Sequence, residues 1–199
     1  MSYTNWHITF GTYGTRLHGE DRPTVNRRQN EVGEAFVGPN ERWVAEERML
    51  MQRSPVWLSH EQRVFIEDVL PAICLRGGWV HKVCAAAANH VHVVLAAEET
   101  IHGKQVRSLL KRWLGQALSS KWTRRAGTDG SVWRAEGGSN IALSDRRYFE
   151  KACLYVSRQS TFELDRLLRR GEDAPARCPG TVVIDARPRV DDQLTGAPS

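Results

Sequence analysis

The stretch His90-Val-His-Val-Val-Leu-Ala96 constrains this chain more than any other. It is β-branched and apolar, so it reads as a strand. Side chains alternate across a strand, so both imidazoles project from one face while Val91 packs on the other. A polar pair inside so apolar a strand requires a reason. One reason is chelation: two imidazoles on one face can hold a divalent ion, and a third ligand would complete a site with positions open to water or phosphate. The other is a structural or surface pair, which H-x-H alone does not exclude. Asn89 before the pair and the apolar run after it favour the metal.

The rest of the chain supplies elements to pack around that strand. Residues 4–13 are rich in β-formers and read as a first strand. Residues 14–57 are a long polar excursion punctuated by Gly and Pro, with a short helix near 41–52. Ser59 with Gln62 three residues later forms a capping box, and Val64, Phe65, Val69 and Ile73 continue on helical spacing. Pro71 predicts a kink or break in this helix, and Gly77-Gly78 its end. Trp79–Ala85 reads as a second strand, joined to the histidine strand by a short Ala-Asn turn. Residues 103–121 carry an apolar stripe of Val106, Leu109, Leu110, Trp113, Leu114, Ala117 and Leu118. A further strand or hairpin falls in 131–142 around Gly137-Gly138, and Asp145 opens a last helix over 146–170. Residues 171–199 are Pro-, Ala-, Gly- and Asp-rich and read as a weakly ordered tail. The order β, long loop, α, β, β, α, β, α predicts an α+β sandwich, an antiparallel sheet with helices packed against it. One domain spans 1–170, with the insertion at 14–57.

On the last helix Tyr155 and Gln159 are four residues apart and share a face. A tyrosine attacks a phosphodiester when its oxygen is deprotonated or the phosphate is polarised, and a metal at His90 and His92 would polarise it. Gln159 offers a carboxamide oxygen as third ligand. A tyrosine on an amphipathic helix is, however, usually core or boundary. Tyr148 is the rival, seven residues earlier on nearly the same face, but the residue four places after it is Ala152. Tyr3 and Tyr13 belong to the first strand region and look structural.

Charge narrows the partner. The net charge is +5 with a pI near 9.3, a balance that favours an anionic partner without saying which. Lys104, Arg107, Lys111 and Arg112, followed by Lys121, Arg124, Arg125 and Arg134, can track a phosphate backbone or simply solvate a helix face. Arg146, Arg147 and Arg158 lie near the tyrosine. Trp122 and Trp133 sit among these cations, where stacking on bases competes with a place in the core. No apolar run is long enough to cross a bilayer and the start lacks the regions of a signal peptide, so we expect no membrane partner and a cytoplasmic protein. The four cysteines match no zinc or redox spacing, and reduced thiols are the default, with Cys84 and Cys153 as small core residues.

Four segments together resemble the single-tyrosine HUH transposases of small insertion sequences (IS200-like), which include the REP-associated tyrosine transposases. They are Trp6-His-Ile-Thr-Phe-Gly-Thr-Tyr13, Asn89-His-Val-His-Val-Val-Leu95, Arg107-Ser-Leu-Leu-Lys-Arg-Trp113 and Tyr155-Val-Ser-Arg-Gln159. The likeness covers about residues 3–165. It implies a ferredoxin-like or RRM-like HUH nuclease fold, His90, His92 and Gln159 as metal ligands, Tyr155 as nucleophile and Mg²⁺ or Mn²⁺ as cofactor. It also implies a single-stranded DNA substrate near a hairpin or imperfect palindrome; for such a substrate the charge pattern makes Lys104, Arg107, Lys111, Arg112, Arg134 and Arg158 the candidate contacts. The product would be a 5′-phosphotyrosine that a 3′-hydroxyl can reverse, and relatives act either as monomers or as homodimers with the tyrosine in trans. The chain departs from the family in its long 14–57 loop and in Ser160-Thr-Phe after the tyrosine helix, where many REP-associated relatives have Asn-Pro. Two other readings stand beside this one. A domesticated, non-catalytic DNA-binding protein would keep the fold and lose the reaction. A hydrolytic zinc enzyme would need a third ligand, for which His81 in the adjacent strand is the candidate.

Overall fold

The computed structural model describes residues 2–20, 38–122, 133–135 and 137–161. Strand β1 (Tyr3–Gly11) is followed by helices α1 (Glu41–Leu50) and α2 (His60–Arg76), strands β2 (Val80–Ala86) and β3 (His90–Glu98), helix α3 (Gly103–Lys121), strand β4 (Ser139–Ala142) and helix α4 (Arg146–Ser157). With α1 set aside as part of the insertion, β1 to β4 form a β-α-β-β-α-β unit to which α4 is appended. The sheet runs β2-β3-β1-β4 and every neighbouring pair is antiparallel. This is the expected α+β architecture, in ferredoxin-like order.

Register decides what each face carries. Ile8 pairs with Val93 and Phe10 with Val91, and these side chains enter the main core with Ile66, Leu70 and Ile73 of α2 and Val106, Leu110, Leu114 and Leu118 of α3. Thr9 pairs with His92, His7 with Val94 and Gly11 with His90, so these residues share the opposite face. That face is covered by α4: Ala152 and Val156 are fully buried against Ala85, Val94 and Leu143. The histidines therefore lie on the side of the sheet that meets the tyrosine helix.

The capping box forms as the sequence predicts, with Ser59 accepting from the Gln62 amide and Gln62 reaching back to the Ser59 amide. Pro71 does not break α2, contrary to expectation. A proline cannot bond the carbonyl four residues earlier, here that of Glu67. The Cys84 thiol takes that carbonyl instead, with Sγ 3.6 Å away. Among the described residues of 131–142, where a strand or hairpin is expected, the strand is Ser139–Ala142, and Gly137 and Gly138, with φ of 75° and 112°, turn the chain before it. A Cβ on Gly138 would sit 2.4 Å from the Thr9 carbonyl, so only glycine allows this approach to β1. The helix expected over 146–170 is interrupted after Ser157 by turns at Arg158–Ser160. Its portion from 162 on, the tail at 171–199 and residues 21–37 of the 14–57 insertion lie outside the described residues. Among the described residues, no helix is long and apolar enough to cross a membrane.

Candidate active site

The pleat of β3 presents His90 and His92 side by side, as the alternation requires. Their rings are 4.7 Å apart and nearly perpendicular. His90 Nδ1 lies 2.7 Å from Asn89 Oδ1. An amide oxygen only accepts, so Nδ1 carries the hydrogen and the lone pair resides on Nε2.

His92 is buried and repeats the pattern with different partners. Its Nδ1 lies 2.9 Å from Thr9 Oγ1 and 3.1 Å from His7 Nε2. Its Nε2 is buried and has no hydrogen-bond partner. The assignment that leaves no donor stranded puts the hydrogen on Nδ1, donating into the Thr9–His7 pair, and the lone pair on Nε2. Metal-bound histidines show this division, one nitrogen toward the ion and the other tied to a neighbouring group. Burial holds the His92 imidazole well below its usual pKa, with His90 and His7 adding to the effect. Burial also lowers His7 to about 4. Both rings are neutral at pH 7, and the neutral ring is the form that ligates.

Helix α4 brings the phenol. Asp145 caps it by accepting from the Arg147 amide at 3.1 Å. With Ala152 and Val156 facing the sheet, Tyr155 falls over the histidines. Its ring centroid is 5.6 Å from that of His92 and 6.4 Å from that of His7, both edge-on. Tyr148, the rival, lies near the start of the same helix and packs against the same apolar cluster as Tyr155; the ring contacts with His92 and His7 belong to Tyr155. The structure thus brings together three of the four expected site residues, His90, His92 and Tyr155, within one chain. Gln159 follows α4 and is half-buried, but its amide donates to the Tyr155 carbonyl at 3.4 Å rather than meeting an imidazole.

His7 was missed by sequence reasoning. The signal was present in His7-Ile-Thr9, whose alternation puts both polar groups on one face of β1, but the register that sets them against His92 is not legible locally. His81, the third ligand of the zinc reading, is misplaced for that role. It pairs with Leu95, whose side chain faces the main core, on the other side of the sheet from His92. Among the described residues, no group of three His, Cys, Asp or Glu side chains can hold a metal ion.

The expected DNA contacts separate into two kinds. Lys111 is only 8% exposed, and its ammonium donates to the carbonyls of Ala135 and Gly137 at 2.6 and 2.8 Å. Arg107 donates to the Gly138 carbonyl and, at 2.8 Å, to Asn140 Oδ1. These two cations tie Ala135, Gly137, Gly138 and Asn140 to α3. Lys104, Arg112 and Arg158 are exposed and Arg134 is half-buried. Trp122 packs edge-on against Phe65, and Trp133 packs against the main core. Cys74 and Cys84 are buried free thiols and Cys153 is a half-buried one.

No protein-family model matches this chain, and no curated protein does. Among solved structures, the chain is similar to the crystal structure of a candidate transposase from Deinococcus radiodurans R1. The two share 12% identity at a TM-score of 0.40, over 80% of this chain and 93% of that one.

Proposed function

We propose that this chain is a metal-dependent enzyme of DNA transposition that nicks and rejoins single-stranded DNA, with Tyr155 as nucleophile. One observation carries the reading: the Tyr155 ring rests against His92, whose buried Nε2 has no protein partner. A buried nitrogen without a partner is costly unless something else engages it. The neutral His92 imidazole beside that of His90, with coordination positions left over, fits a divalent ion that also binds oxygen.

His90 and His92 would hold that ion through Nε2, with Gln159 as third ligand once its amide leaves the Tyr155 carbonyl. When bound, the ion supplies Lewis-acid polarisation of the scissile phosphate and charge stabilisation at the departing oxygen. Imidazole nitrogens suit Mn²⁺ better than Mg²⁺. The Tyr155 oxygen attacks phosphorus and gives up its proton to water. The bond from phosphorus to the 3′ oxygen breaks, and that oxygen takes a proton to become a 3′-hydroxyl. The 5′-phosphate stays on Tyr155 as an ester. Attack by a 3′-hydroxyl reverses the step with no other energy source. Lys104, Arg112, Arg134 and Arg158 would meet the phosphate backbone of DNA held near a hairpin.

The test is covalent capture. A 3′-labelled single strand carrying an imperfect palindrome is incubated with the protein and Mn²⁺, so that the label stays on the fragment joined to Tyr155. Wild type and Tyr155→Phe should bind it alike; wild type and Tyr148→Phe should form a denaturant-resistant adduct, and Tyr155→Phe none. An adduct that survives in Tyr155→Phe would refute the assignment. Binding with no adduct in wild type, whichever divalent ion is added, would leave a DNA-binding protein without the reaction.

A further inference from the structure

Glu67 sits in the middle of α2 and is only 5% exposed. Burying a carboxylate is unfavourable unless every acceptor site is used. Here all are. Oε1 accepts from the Ala86 and Thr161 amides, each at 2.8 Å. Oε2 accepts from the Ser160 hydroxyl at 2.7 Å and again from the Thr161 amide at 3.1 Å. Thr161 is 1% exposed, and its hydroxyl donates to the Ala86 carbonyl at 3.3 Å. One side chain therefore joins the middle of α2, the end of β2 and the segment directly after α4.

The place of that junction matters. Ala86 pairs with Val91, the residue between the two histidines, and Ala85 pairs with His92. Ser160 and Thr161 follow Gln159 and lie one to two turns beyond Tyr155. The carboxylate thus ties the histidine strand, through β2, to the end of the tyrosine helix. An apolar side chain at 67 would fill the space at lower desolvation cost, but it would not fix how far α4 extends over the sheet. We infer that Glu67 is a positioning residue for Tyr155: it sets the location of the nucleophile relative to His90 and His92 and touches neither substrate nor ion. The inference rests on the role of Tyr155 proposed above.

The experiment compares wild type, Glu67→Ala and Glu67→Gln as full-length chains. Glutamine keeps an oxygen for the Ala86 and Thr161 amides and an NH₂ that can donate to Ser160, so it should rescue. Hydrogen exchange without DNA or metal should be about tenfold faster in Glu67→Ala across residues 155–161, with β1 and β3 unchanged. With saturating labelled DNA and Mn²⁺, the capture rate should fall about 10- to 100-fold in Glu67→Ala, return toward wild type in Glu67→Gln, and leave the Kd for DNA unchanged in both. Unchanged exchange at 155–161 would overturn the inference. So would exchange that rises equally in β1 and β3, which marks general destabilisation, or a loosened 155–161 segment with undiminished capture. A wild type that forms no adduct overturns the Tyr155 reading itself. That failure is distinguishable, because the exchange measurement involves no chemistry.

Discussion

His92 Nδ1 lies 3.1 Å from His7 Nε2, although 85 residues separate the two histidines in sequence. Thr9 completes a triangle, with its hydroxyl 2.9 Å from His92 Nδ1 and 3.4 Å from His7 Nε2. Strand β1 thereby fixes both the orientation and the tautomer of a residue on β3. Groups that hold a ligating histidine in this way typically contribute 10- to 100-fold to metal affinity. Thr9→Val and His7→Phe should each weaken Mn²⁺ binding by about tenfold or more in calorimetry, and His92→Ala should remove it. Unchanged affinity in both β1 variants would show that this triangle does not organise the site.

Burial makes the same histidines sensitive to acid. His7 titrates near 6.5 when unfolded and near 4 when folded, and His92 and His81 are lowered in the same direction. Between those values the unfolded chain binds protons that the folded chain refuses. Stability is therefore complete above about pH 6.5 and falls as pH drops toward 4. His7 alone accounts for about 3 kcal/mol over that window. Urea midpoints at pH 7.5, 5.5 and 4.5 should decline in wild type and decline less in His7→Phe. A midpoint that holds constant down to pH 4.5 would contradict the buried, neutral assignment.

What the sequence disclosed followed the reach of each rule. Alternation over seven residues placed His90 and His92 on one face, and an i,i+3 pair marked the start of α2 at Ser59, because both rules act within a turn or two. Helical period put Tyr155 and Gln159 on one face, yet α4 ends at Ser157, before Gln159. His7 could not be assigned, because its role depends on a register between strands far apart in the chain. Lys111 belonged to the polar side of α3 by periodicity, yet the carbonyls of Ala135 and Gly137 close on its ammonium. Pro71 read as a kink or a break because nothing local shows that a cysteine on β2 would occupy the carbonyl it strands. Glu67 gave no signal, since one charge within a helix is ordinarily a solvated one.

The cations of α3 should divide by function. Lys111→Met removes charge-assisted bonds to two backbone carbonyls and should destabilise the fold by about 2–3 kcal/mol in urea titration. It should leave the salt dependence of DNA binding unchanged. Arg112→Ala, one residue on and exposed, should alter stability by less than about 0.5 kcal/mol. If Arg112 meets one phosphate, the slope of log affinity against log salt should shrink by about 0.7 for a single strand. A Lys111→Met chain that is as stable as wild type but has lost salt slope would reverse the two assignments.

The tyrosine should serve the histidines of its own chain. Three residues join the end of β4 to the start of α4, and the first, Leu143, is buried with its amide bonded to the Asn5 carbonyl at 2.8 Å. So short and anchored a connection sets α4 down on its own sheet, where Ala152 and Val156 are fully buried. Mixing Tyr155→Phe with His92→Ala tests this directly, since one keeps the histidines and the other the tyrosine. If the site is built within one chain, the mixture forms no more adduct than either variant alone, even after co-refolding. Exchange of α4 between chains would rebuild a working site and place labelled DNA on the His92→Ala chain, which mass spectrometry would identify. That outcome would require the Leu143–Asp145 connection to leave β1, and the amide of Leu143 would then lose its protection from hydrogen exchange in the mixture.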